Sequence, residues 1–246
     1  MEEERQVTGA GAILPKRFYQ SASVVESDGA FALSLDGKLA KTRLRAPLAA
    51  QVRSLADAIA DEWSAQGAEI NFAAMPMTRY QMTVIDRADL DAPAWRGVVL
   101  SFLKTDLLCY RASSPADLAR RQAVEWDPLL AWAASEGVAL KSAPGAAFIE
   151  QPRHALDAGE ALLARASDAS LLAIKEAAEI AGSAVIAFAL WRGAFEAEPL
   201  FDASRVDETY QAETWGSDSE AETRARRLKR DFLAAARYLS LIAAAG

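Results

Sequence analysis

The sequence predicts an α+β fold: a small N-terminal antiparallel β-sheet domain with a covering helix, followed by a larger all-α helical bundle domain. Three observations predict it. Between residues 17 and 42 apolar residues alternate with small or polar ones, and the stretch is cut twice by Asp-Gly, at Asp28-Gly29 and Asp36-Gly37. Next, Leu48, Val52, Leu55, Ile59 and Trp63 recur every three or four residues, which is one face of a helix. From there almost to the end, apolar residues keep a helical period. The expected domains are 1–75, with 1–15 as a flexible arm, and 76–246.

Taken in order, the arm has no apolar period. Its Gly9 and Gly11 lack the third glycine and the preceding strand of a dinucleotide fingerprint, so a tail is expected there rather than a phosphate loop. The two Asp-Gly turns imply a three-stranded meander with one apolar face. The helix expected over 48–66 covers that face, with Pro47 near its start and Gly67 past its end. Pro76 suits the first turn of a second helix, and Asp91-Ala92-Pro93 the start of a third. Residues 104–110 read equally as helix or buried strand.

Ser114-Pro115 has the form of an N-cap and first helical residue, and the helix it opens is expected to break at Pro128 and stop at Gly137. A loop over 138–152 follows, with an extended piece at 147–149. Helices are expected over 156–166 and, as one long apolar segment near the centre of the bundle, over 168–192. Phe201-Asp202-Ala203-Ser204 opens another helix, with Val206 and Tyr210 inward and Gly216 at its end. Ser217 or Asp218 caps the last helix, where Ala221, Ala225, Leu228, Phe232, Ala235, Leu239 and Ile242 repeat as a heptad seam.

Composition narrows the function. A formal net charge of −7 argues against general nucleic-acid binding, which needs a basic surface. One cysteine, Cys109, and one histidine, His154, rule out an intrachain disulfide and any site needing two of either residue. No apolar run approaches the ~20 residues of a membrane span. The acidic start, Met1-Glu2-Glu3-Glu4, resembles neither a signal nor a transit peptide, so a cytoplasmic protein is expected.

The sequence carries no P-loop, nucleophile elbow, His-Glu-x-x-His or Cys-x-x-Cys. His154 sits in a polar, proline-flanked stretch and reads as a surface residue, and Cys109 as a buried small hydrophobe. Asp86 and Asp106 flank apolar runs and are the candidates for a paired acid/base site, although helix caps or partners of arginine are the more ordinary roles. Charge placement is more specific. Nine acids lie between Glu196 and Glu222 against one base, Arg205, and five bases follow between Arg224 and Arg230. Such blocks either complement helix dipoles and i,i+4 partners, or form an acidic surface that steers a basic partner. Tyr210 and Trp215 on the same element favour an interface if they are exposed.

Five stretches, in register from Lys16 to Leu241, resemble the assembly chaperones of the F-type ATP synthase that handle its alpha subunit. They are Lys16-Arg17-Phe18-Tyr19, Leu35-Asp36-Gly37-Lys38-Leu39-Ala40-Lys41-Thr42, Leu55 through Glu62-Trp63 to Gln66, Met75-Pro76-Met77-Thr78, and Asp207-Glu208 with Tyr210-Gln211 and Trp215-Gly216. The resemblance implies a molecular chaperone that is not an enzyme and needs no cofactor or metal. It would bind the unassembled alpha subunit and prevent its aggregation until beta takes over. Relatives occur in the mitochondrial matrix and in some bacteria, and the acidic start favours the bacterial cytoplasm. A monomer is expected, with no nucleic acid and no membrane insertion. Asp207, Glu208, Gln211, Trp215 and Glu220 are the expected partner-binding residues, with Trp215 also supporting its helix end. Trp63 is expected in the core. The alternatives are a small-molecule enzyme with a site between the two domains and a scaffold subunit of another complex.

Overall fold

A computed structural model describes residues 14–243. The expected arm and its two glycines, Gly9 and Gly11, lie almost wholly outside the described residues.

The chain begins with a hairpin of β1 (Ala22–Ser27) and β2 (Ala30–Leu35), continued by the short β3 (Lys38–Leu39). Both joins are two-residue turns: Ser27 faces Ala30, and Leu35 faces Lys38. Asp28, Gly29, Asp36 and Gly37 all have positive φ, which is the conformation such turns require. Asp36 also accepts backbone N–H groups from Gln20 and Ser21, and these hold its carboxyl below the usual carboxylate range.

The sheet departs from the expected meander by one strand. β4 (Ala49–Ala50) pairs with β2 at Phe31 and Ala32, because β3 is too short to cover that edge of β2. Residues 48–50 therefore belong to the sheet, with Leu48 bonding Ala40 and Leu33 through its backbone, and α1 runs only from Arg53–Ser64. Leu55, Ile59 and Trp63 still form its buried face, and α1 covers the sheet as expected.

The joint to the bundle is held by polar caps. Glu62 on α1 accepts the Met77 and Thr78 N–H groups (2.7 and 2.8 Å), capping α2 (Pro76–Lys104). Gln66 donates to the Glu62 carbonyl and accepts from Asn71 N–H, and Tyr19 donates to the Trp63 carbonyl (2.7 Å).

Two prolines do not break their helices. Pro93 lies inside α2 and Pro128 inside α3 (Ala116–Ser135). Each sits on an exposed face, beside buried Trp95 or between buried Trp126 and Leu129, so the carbonyl it frees faces water while packing carries the helix through. The helix start at Asp91-Ala92-Pro93 is thus absent, as is the break at Pro128. α3 begins after Pro115, so Ser114 is not its cap.

The ambiguous 104–110 stretch is neither alternative throughout. A single 3-10 turn at Leu107–Cys109 leads into β5 (Tyr110–Arg111), which pairs in parallel with β6 (Ala143–Pro144); the extended piece expected at 147–149 thus lies a few residues earlier. Gln151 pins that loop by both accepting from and donating to the Lys141 backbone.

After α4 (Arg153–Leu163), the long segment expected over 168–192 is two helices, α5 (Asp168–Ala181) and α6 (Ala184–Arg192). Gly182 takes φ 65° to end the first, and the Ser183 hydroxyl caps the second. The small residues there serve a helix stop and restart. Ala184 to Ala189 are all fully buried, so the segment does lie at the centre. Phe201 to Ala203 form the last turn of α7 (Ala197–Ala203) rather than opening a helix, and α8 (Val206–Trp215) follows, ended by Gly216. Asp218 accepts the Ala221 N–H (2.7 Å) at the start of α9 (Ser219–Ala243). The seam of α9 is buried at Phe232, Ala235 and Leu239, but Ala221 and Ala225 are exposed: its first turns stand clear of the bundle. Its far end packs on α2 and α1, where the Tyr238 hydroxyl donates to Gln81 and the Ser54 hydroxyl to the Leu241 carbonyl. The fold is α+β as expected, and one contiguous core runs from Tyr19 and Leu33 to Phe232. Among the described residues no helix is long and apolar enough to cross a membrane.

Candidate protein-binding surface

α8 lies across α3 through a few specific contacts. Val206 is buried at its start, and the buried Trp126 indole on α3 donates to the Ala203 carbonyl just before it. Asp207 accepts from the Gln122 side chain (2.7 Å), and Gln122 accepts from Ala112 N–H in turn. One turn on, the Arg121 guanidinium covers the Tyr210 ring (5.2 Å to its centroid) and pairs with Glu213. Tyr210 is therefore half-buried under a cation rather than inserted in the bundle.

The expected partner residues divide accordingly. Asp207 is half-buried and engaged in holding α8, so it orients the helix. Glu208 points outward and pairs with Arg205 (2.6 Å). Gln211 is exposed, and Trp215 is 76 % exposed, so it does not brace the helix end as expected. Glu220 is exposed on the first turn of α9. Glu208 and Glu220 share an open groove of about 620 Å³ between α8 and α9, floored by Ala221, Ala225 and Leu228. Gln211 and Trp215 lie outside that groove, on the exposed remainder of α8.

The acidic block is partly neutralised across helices. Lys229 on α9 meets Glu198 (2.8 Å) and Asp202 (3.7 Å), and these acids raise the lysine pKa. With Arg121–Glu213 and Arg205–Glu208, the surface is a mosaic that leans acidic rather than a uniform acidic face. Sequence reasoning missed Arg121, Gln122 and Lys229. Nothing in linear spacing pairs α3 with α8.

The residues considered for catalysis do not converge. Asp86 accepts from the Thr42 hydroxyl and, at 3.4 Å, from Leu44 N–H. Asp106 is fully buried, accepting the Leu108 N–H of the adjoining 3-10 turn and the Val185 N–H at the start of α6, and burial pushes its carboxyl up to about 6. The two engage different partners on different elements. Burial pushes the Cys109 thiol up to about 12, which keeps it a protonated, poor nucleophile. His154 is exposed on the first turn of α4. Among the described residues no cluster of three His, Cys, Asp or Glu side chains could hold a metal ion.

Comparison with known proteins matches this architecture. The family model described as "ATP12 chaperone protein" matches residues 16–134. The crystal structure of Atp12 from Paracoccus denitrificans is 33 % identical, with a TM-score of 0.88, covering 92 % of this chain and 98 % of that one. A point mutant of the same protein matches equally well. A candidate chaperone from Agrobacterium tumefaciens is 37 % identical with a TM-score of 0.89, covering 93 % of this chain and 87 % of that one. The chain belongs to the ATP12 chaperone family, the ATP synthase assembly chaperones.

Proposed function

We propose that the chain captures the unassembled alpha subunit of the F-type ATP synthase and prevents its aggregation until beta displaces it. It acts as a stoichiometric binder in the bacterial cytoplasm, as a monomer and without a cofactor or catalytic step. The observation that carries the reading, within the family, is the α8–α9 corner. There a tryptophan is 76 % exposed beside a groove with an alanine-rich floor and acidic rim. A large aromatic left in water is a typical interface anchor, and paired rim charges give specificity without very tight binding. Glu208, Gln211, Trp215 and Glu220 contact the client, and Asp207 holds α8 in place.

The test is co-expression with the alpha subunit from the same organism, followed by size-exclusion chromatography with and without beta. A one-to-one complex that dissolves when beta is added supports the reading. No complex, with alpha aggregating as it does alone, overturns it. Glu208→Lys should weaken capture by about tenfold, or about 1.4 kcal/mol, with an unchanged thermal melt. Normal capture by a folded Glu208→Lys variant removes Glu208 from the interface.

A further inference from the structure

We infer that a second groove, between the 41–47 loop, the Phe72–Ala74 turn and the first half of α2, docks an acidic segment of the client that carries large apolar side chains. This rests on the reading of the chain as a client-binding chaperone.

The groove is about 710 Å³ and gathers three of the large apolar side chains that the fold leaves in water: Phe18 (73 % exposed), Leu44 (68 %) and Phe72 (37 %). Single exposed apolar residues are ordinary, but three facing one concavity are not. Its rim carries Lys41, Arg43, Arg79 and Arg87 against one acid, Asp86. That acid is already engaged by Thr42 and Leu44, which fix the loop to α2. Arg87 is held by Asp91, while Lys41, Arg43 and Arg79 form no ion pair among the described residues. A chain of net charge −7 thus concentrates unpaired cations beside its exposed aromatic wall.

Trp63 lines the bottom, with its ring edge-on to Phe72 (6.0 Å), and its buried indole N–H has no acceptor among the described residues. Peptide carboxylates would meet the cations, and apolar side chains would cover the aromatic wall. The overall negative charge disfavours a nucleic acid at long range, which leaves a protein segment.

The test compares wild type with the double variant Arg43→Glu/Arg79→Glu, and with Leu44→Ser at the exposed loop tip as a second variant. Two probes are used: the alpha subunit, and a short fluorescein-labelled peptide alternating Glu and Phe, with a Lys-and-Phe counterpart. Capture of alpha should fall more than about tenfold in the double variant and several-fold in Leu44→Ser, at unchanged thermal melts. The acidic peptide should bind wild type, lose binding in the double variant and dissociate in salt.

If wild type captures alpha and both variants do so equally well, the groove is not a docking surface, while the proposed function stands. If wild type does not capture alpha, that function fails, and the peptides decide the groove alone: equal binding of acidic and basic peptides overturns it. If Glu2, Glu3 and Glu4 changed to Gln in the full chain raise peptide affinity more than tenfold, the occupant is the chain's own start, and the partner assignment falls.

Discussion

The groove beside Trp63 and the corner around Trp215 expose large apolar side chains next to charge, but they are built in opposite ways. The groove is basic and its walls are braced. Glu62 caps α2, Asp86 ties down the 41–47 loop, and Trp63 packs between Tyr19 and Phe72. The corner leans acidic and stands away from the core, with α8 held by Gln122–Asp207 and Arg121–Glu213 and α9 by Lys229. Low local packing suits a surface that must yield its client, whereas a braced groove suits one that recognises a particular segment.

The largest expected effect breaks one side of the comparison. Trp63→Ala removes a side chain that is 6 % exposed, between two aromatic neighbours, and should cost about 3–5 kcal/mol in urea denaturation, disrupting the groove. A loss under about 1 kcal/mol would mean that Trp63 does not brace it.

The next effect comes from Asp106, which joins the end of α2 to the start of α6. Its folded pKa of about 6 is above the ordinary 3.8, so its contribution to stability is fully present below about pH 4 and is lost as pH rises through 6. The loss is about 3 kcal/mol, the difference of about two pKa units at about 1.4 kcal/mol each. Asp106→Asn should flatten this part of the stability–pH curve, measured by urea midpoints between about pH 4 and pH 7. An unchanged slope would show that Asp106 does not titrate there.

The smallest effect on stability is at the corner. Trp215→Ala should move it by less than about 0.5 kcal/mol while weakening alpha-subunit capture several-fold. A large stability loss would make Trp215 a packing residue and remove the contrast.

The same contrast explains what the sequence revealed. Asp28-Gly29 and Asp36-Gly37 were legible because a two-residue turn imposes positive φ on its own residues. The 55–59–63 face of α1 was legible because helical spacing is local. β4 and the uninterrupted α2 and α3 were not, because each is decided by what packs against it: an open strand edge and a proline facing water. The break at Gly182 has a local signal, a glycine stop and a serine cap, which the continuous apolar run of 168–192 masked. Sites divide likewise. Glu208, Trp215 and Glu220 could be proposed from the sequence because their charge and aromatic pattern is contiguous. The second groove draws Phe18, Leu44, Phe72 and Arg79 from four separate stretches, and no linear window contains it. Even at the corner, spacing could not show that Asp207 is held by Gln122 or that Arg121 covers Tyr210.

Hydrogen–deuterium exchange of the full chain, alone and with the unassembled alpha subunit, tests the account most directly. Protection of both residues 206–228 and residues 41–44 with 76–87 is the predicted result. Protection of neither region, in a complex that still forms, would contradict it.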